Sequence, residues 1–140
     1  MFPAGKIEDR TEQTNTPNGP VTRKGSCVRL PNYGNFYVWY TKLSATPPQP
    51  DDHCLYVADN ATKAMTAAMG GQVSSNVERN VGNHKARQCK VTTKQPVEAT
   101  QHILYLVDRD YLYQIQVVGP PGTPPDADVE RFFASIAITQ

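Results

Sequence analysis

The run Phe36–Leu43, FYVWYTKL, is apolar at both alternating sets of positions: Phe36, Val38 and Tyr40 on one face, Tyr37 and Trp39 on the other. Such a strand is covered on both sides, so the pattern predicts a central strand. Ahead of it, Val21–Leu30 predicts another, ended by Pro31 and the turn-forming run Pro31-Asn32-Tyr33-Gly34-Asn35. Beyond the Pro-rich stretch Ala45–Pro50 the period changes. Cys54, Ala58, Ala61, Met65 and Ala68 recur at helical spacing and predict a helix over about 52–69. Asp51 and Asp52 suit its N-cap and first turn, and Gly70-Gly71 its stop. The stripe is small, mostly Ala, which suits close docking on a sheet.

Alternation returns in Gln72–Val81, where Val73, Val77 and Val81 stand among polar neighbours, and Gly82-Asn83 marks a turn. Ala86–Thr92 follows as a strand with Cys89 and Val91 inward and Gln88 and Lys90 outward, and Thr93–Gln101, polar and holding Pro96, reads as a loop. His102–Val107 and Tyr111–Val118 predict a hairpin joined by Asp108-Arg109-Asp110. The last helix is predicted from Thr123 as N-cap, Pro124 at its first position and Asp126 closing a capping box. Val129, Phe132, Phe133 and Ile136 form its apolar stripe, and Ser135–Thr139 is read as turning into a short final strand.

The order is then β-β-α-β-β-β-β-α-β. Consecutive hairpins make an antiparallel sheet, and two helices must cover it. The expectation is an α+β domain, a layered sandwich with a central antiparallel sheet of about six strands and two helices. Residues 1–20, polar and punctuated by Pro3, Gly5, Pro17, Gly19 and Pro20, are expected as a loose or edge-pairing N-terminal segment, and 21–140 as a single domain.

Composition narrows the function classes. A chain of 140 residues is one domain by size, and no apolar run reaches the roughly 18 residues that a bilayer crossing needs. Formal net charge is +1, from 14 Lys and Arg against 13 Asp and Glu. That near-neutrality gives no global field for nucleic acid, but it hides a segregation. Arg79, Lys85, Arg87, Lys90 and Lys94 gather over 78–94 with only Glu78 opposing, and the acids concentrate near the C-terminus. If the basic strands share one face, they offer a contact patch for an anionic partner. Together with Tyr111 and Tyr113 they form the candidate partner surface. Tyr33, Tyr37, Trp39 and Tyr40 extend the aromatic supply for an interface or a core.

Catalytic constellations are weak. His53, Cys54, His84 and Cys89 are zinc-ligand types but fit no tight ligand spacing. Cys27 and Cys89, in strands, lack the setting of an activated nucleophile. Three cysteines, Cys27, Cys54 and Cys89, are compatible with one disulfide plus a free thiol, or with three buried thiols. The run around Pro47-Pro48-Gln49-Pro50 lacks the flanking base of an SH3 ligand and reads as a stiff connector, and the sequon at Asn60 falls inside the first helix.

Residues 103–138, ILYLVDRDYLYQIQVVGPPGTPPDADVERFFASIAI, resemble the closing hairpin, helix and strand of small PsbP-like domains. The shared pattern is a strand, a tight turn, a "YQ" strand, a Pro/Gly loop and an FFxSI helix. The FYVWYTKL strand, the Ala-rich helix, Gly70-Gly71 and the pair turning at Gly82-Asn83 follow the same order, so the resemblance covers about 20–139. It implies a central antiparallel sheet with helices on its faces. The superfamily includes the photosystem extrinsic protein PsbP, bacterial periplasmic lipoproteins and a Ran-binding nuclear protein. Its members generally serve as binding or assembly modules without common catalytic residues, so no active site carries over.

The expectation is therefore a non-enzymatic module with no cofactor or resident metal, docking on a protein complex or an envelope component. It binds no nucleic acid and associates at most peripherally with a membrane complex. The start, MFPAGKIEDR, lacks a basic segment followed by an apolar one. An exported, periplasmic domain whose leader has been removed is expected, with a cytoplasmic one as the other reading. The alternative function is a small-ligand or metal-binding periplasmic protein using His53, Cys54, His84 and Cys89. A small hydrolase or isomerase on a curved sheet is a third, for which the sequence offers no residues.

Overall fold

A computed structural model describes residues 5–16, 19–43, 46–95 and 97–136. The chain folds as α+β, with one seven-stranded antiparallel sheet and two helices. In chain order the elements are β1 (Ile7–Thr16), β2 (Gly19–Leu30), β3 (Gly34–Lys42), α1 (Pro50–Met69), β4 (Gln72–Val81), β5 (His84–Thr93), β6 (Ala99–Asp108), β7 (Tyr111–Gly119) and α2 (Asp126–Ala134). Across the sheet the order is β1-β2-β3-β7-β6-β5-β4. Two meanders, β1-β2-β3 and β4-β5-β6-β7, thus meet along a single seam, Asn35↔Val118 to Lys42↔Tyr111.

The pleat assigns each strand's alternate residues to opposite helices. Under α1, Cys54 and Ala58 pack on Cys89, Ile103, Tyr105 and Val107, with Val57, Ala61, Met65 and Leu112 at the margin. Cys54 and Ala58 are fully buried, as close docking through small side chains requires. On the other face Val129, Phe132 and Phe133 of α2 pack on Phe36, Ala86, Leu104, Leu106, Ile115 and Val117. Phe132 meets Phe36 edge to face, ring centroids 5.1 Å apart, a geometry favoured by the ring quadrupoles. β6, beneath both helices, is buried at every position from Thr100 to Asp108. In β3, Phe36 and Trp39 are buried toward opposite faces.

Several boundaries differ from the sequence expectation. Residues 7–16 form a full edge strand on β2, giving seven strands rather than six, so the N-terminal segment pairs at the edge over that stretch. A largely polar sequence suffices there, because an edge strand has little to bury. β6 begins at Ala99, since Thr93↔Ala99 and Thr92↔Thr100 extend the β5 ladder into the expected loop. The β6–β7 turn has two residues, not three, because Asp108 pairs with Tyr111 and Arg109 takes the left-handed conformation (φ 55°). α1 starts at Pro50 with Gln49 as cap. Asp51 and Asp52 sit in its first turn without capping it, and Asp51 Oδ1 instead accepts the Lys85 backbone N–H (3.4 Å). Gly70 closes α1 in the left-handed conformation (φ 61°), where only glycine is unstrained. α2 starts at Asp126 rather than Thr123, because Thr123 N–H closes a separate turn onto Pro120 O (2.8 Å). The expected final strand falls largely on 137–139, outside the described residues; Ser135 caps α2.

Candidate functional site

α1 covers only half of its sheet face. Among the described residues it packs mainly on β5, β6 and the margin of β4, with Leu112 of β7 at its edge, and no helix lies over β1, β2 and β3 on that side. The result is a groove of about 370 Å³ with Ala61, Met65 and Met69 of α1 as one wall and Arg10 and Glu12 of β1 as the other. Its floor is polar and aromatic. Tyr37 stacks nearly parallel on Trp39 (10°, 5.6 Å between centroids), and the Arg23 guanidinium lies 4.0 Å above the Trp39 ring, a cation–π contact. Gly25, directly opposite Trp39, lets the β2 and β3 backbones lie close together: a Cβ there would collide with Val38 O.

Arg23 is held from two sides. Its Nε and Nη2 donate to Glu12 Oε2 (3.0 and 2.6 Å), and its Nη1 donates to Gln114 Oε1 (3.4 Å). Beside them Gln116 Nε2 donates to Gln101 Oε1 (2.8 Å). Trp39 is 2% exposed, yet its indole Nε1 finds no acceptor among the described residues. A buried unpaired donor is costly. Tyr105 lies in the same floor, its hydroxyl pushed far up in pKa by burial. The arrangement offers amide donors and acceptors in rows, a guanidinium platform and adaptable thioether surface.

The candidate partner surface is divided by the pleat. Arg79 and Lys90 lie on the α2 face, where the acidic end of the chain meets them: Arg79 Nη1 binds Glu130 Oε2 (2.6 Å) and Lys90 Nζ binds Asp126 (3.2 Å). Tyr111 and Tyr113 share that face and continue a ring series from Tyr40, each step 6.3 Å. Lys85 and Arg87 alternate onto the α1 face, beside Asp51 and Cys54. Lys94 follows β5, its N–H donating to Met69 O at the end of α1 (2.9 Å). The structure therefore brings Arg79, Lys90 and the two tyrosines to one side and takes Lys85 and Arg87 to the other.

Beneath the start of α2, His102 is 4% exposed and its Nε2, without a hydrogen-bond partner among the described residues, stands 3.7 Å from Asp126 Oδ1. Burial lowers its pKa below the ordinary 6.5, with Asp126 opposing and Lys90 reinforcing the shift. The cysteines are buried free thiols. Burial pushes Cys54 and Cys89 up to about 11, the range of an inert thiol. His84 Nε2 lies 3.6 Å from Asp108 on the α2 face, away from Cys54 and Cys89. Among the described residues no group of three or more His, Cys, Asp or Glu could hold a metal ion. No helix among them is long and apolar enough to cross a membrane.

Sequence reasoning named Tyr37 and Trp39 but missed Arg23, Gln101, Gln114 and Gln116. These polar strand positions look solvent-facing until α1 is seen to leave them as a floor.

In comparisons with known proteins, no family matches the chain and no curated protein matches it. Among solved structures it is similar to the crystal structure titled "Protein of Unknown Function PA94 from Pseudomonas aeruginosa, Putative Regulator". The TM-score is 0.60 at 10% identity, over 99% of this chain and 87% of that one. At that identity the likeness is one of fold.

Proposed function

We propose that the chain is a non-catalytic binding and assembly module of the PsbP-like kind, exported and docked on a protein partner of an envelope complex. The observation that carries this is the half-covered sheet face: the groove beside α1 with Trp39, Arg23 and the glutamines in its floor. Its occupant in this reading is a polypeptide segment of the partner. Three amide side chains and a guanidinium match backbone carbonyls and N–H groups, and Met65 and Met69 give way to varied side chains. The raised thiols of Cys54 and Cys89 support a non-nucleophilic role.

The test places a photo-crosslinking residue at Met65 in the groove wall or at Tyr40 on the opposite face, in cells making the protein. The expected result is a discrete protein adduct from position 65, absent from position 40 and lost when Arg23→Glu is added. Adducts equal at both positions, or none from position 65, overturn the proposal.

A further inference from the structure

β1 is the outermost strand, and its ladder to β2 runs unbroken from Ile7↔Val28 to Thr16↔Gly19. An open edge carries unpaired N–H and C=O groups that template another strand, and proteins usually blunt it with a bulge, a proline or a covering element. The opposite edge, β4, is treated in this way: its register shifts between Val73 and Ser75, and α1 packs beside it. β1 has no bulge and no proline from Ile7 to Thr16.

What β1 does carry is a charge pattern, Glu8, Asp9, Arg10 and Glu12. Two copies of a strand pair antiparallel about a two-fold axis normal to the sheet, so each register is defined by the residue on the axis. An axis at Glu8, Asp9, Arg10 or Glu12 sets a charge against its own copy, which is unfavourable directly across a ladder. An axis at Gln13 pairs no charges. An axis at Thr11 sets each Arg10 opposite the Glu12 of the other copy, twice, with Asp9 opposite Gln13 and no like charges opposed. Edge and charge pattern therefore select one partner and one register.

We propose that β1 pairs with β1 of a second copy about Thr11, joining the two seven-stranded sheets into one. The operator keeps the α1 faces on the same side, so the two grooves run together into one trough flanked by the two α1 helices. Each Glu12, already holding Arg23 over Trp39, receives the other copy's Arg10 as well, so each copy completes its neighbour's groove rim. This dimer stands independently of what the groove binds, and its test does not read groove occupancy.

The experiment is sedimentation of the full-length chain with its charge variants. The wild type is expected at twice the 15.5 kDa of one chain, and Arg10→Glu and Glu12→Arg each at the single-chain mass. An equimolar mixture of the two variants restores the double mass. The first variant is acidic on both sides of Thr11 and the second is basic on both sides, so across the axis every acid then faces a base. That restoration also excludes misfolding as the cause. Thr11→Cys, on the axis, is expected to form an intermolecular disulfide on mild oxidation. A wild type of single-chain mass, or an Arg10→Glu variant that stays dimeric, overturns the proposal.

Discussion

Arg79 Nη1 on β4 lies 2.6 Å from Glu130 Oε2 on α2 and 3.0 Å from Gln88 Oε1 on β5. With Lys90 and Asp126 at 3.2 Å, it ties the basic middle of the chain to its acidic end. Side-chain exposure is 20% for Arg79 and 56% for Glu130, so the bridge is mostly solvated. Glu130→Gln is expected to lower stability by about 0.2–1 kcal/mol, the range for exposed pairs. Urea midpoints at low and high salt check it: the loss should shrink as salt rises, and a salt-independent loss would point to packing instead.

Phe132 carries the docking of α2. Its ring is 5% exposed and sits edge-on against Phe36. Phe132→Ala is expected to cost about 3–5 kcal/mol through the cavity it leaves. Denaturant unfolding reads this directly, and a loss under about 1 kcal/mol would mean that α2 is not docked as described.

His102 makes stability depend on pH. Burial holds its pKa below the unfolded value of 6.5, so the folded state favours the neutral ring. The contribution is whole above the unfolded pKa and is lost as pH falls from there toward the lowered folded pKa, because the unfolded chain takes up the proton first. His102→Gln should flatten that part of the profile. A variant whose stability falls with acid as steeply as the wild type would exclude His102 as the source.

Cys27, Cys54 and Cys89 are buried, with thiol pKa values raised by burial. All three should resist an aromatic disulfide reagent at mildly alkaline pH in the folded protein and react together in denaturant. Fast reaction of one thiol in native buffer would place it at an accessible surface.

Much of the fold was legible because periodicity follows burial. α1 and the β6–β7 hairpin declare themselves through Ala58 and Met65, and Ile115 and Val117, whereas in β4 only Val81 is buried and Val73 and Val77, expected on its dry face, are exposed on this edge strand. β1 did not, because IEDRTEQTNT has one apolar residue and an edge strand need show no alternation. The two-residue turn at Arg109 was hidden because Asp-Arg-Asp lacks the glycine that usually marks it. At the groove, the aromatics Tyr37 and Trp39 were visible. Arg23 and Gln114 were not, because no local pattern says which half of a sheet face a helix will leave bare. The division of Lys85 and Arg87 from Arg79 and Lys90 follows from pleat and register, which the one-dimensional clustering of charge does not contain.

The β3–β7 seam has a kinetic consequence. Every other strand pair joins sequence neighbours, β1 with β2, β2 with β3, β4 with β5, β5 with β6 and β6 with β7. Such hairpins close short loops and form early, whereas the seam must bring Lys42 to Tyr111 across α1 and three strands. Loop-closure entropy falls on that one event. The two meanders are thus built as local halves, and the rate at which the whole chain folds is set by the moment that Val38 finds Ile115.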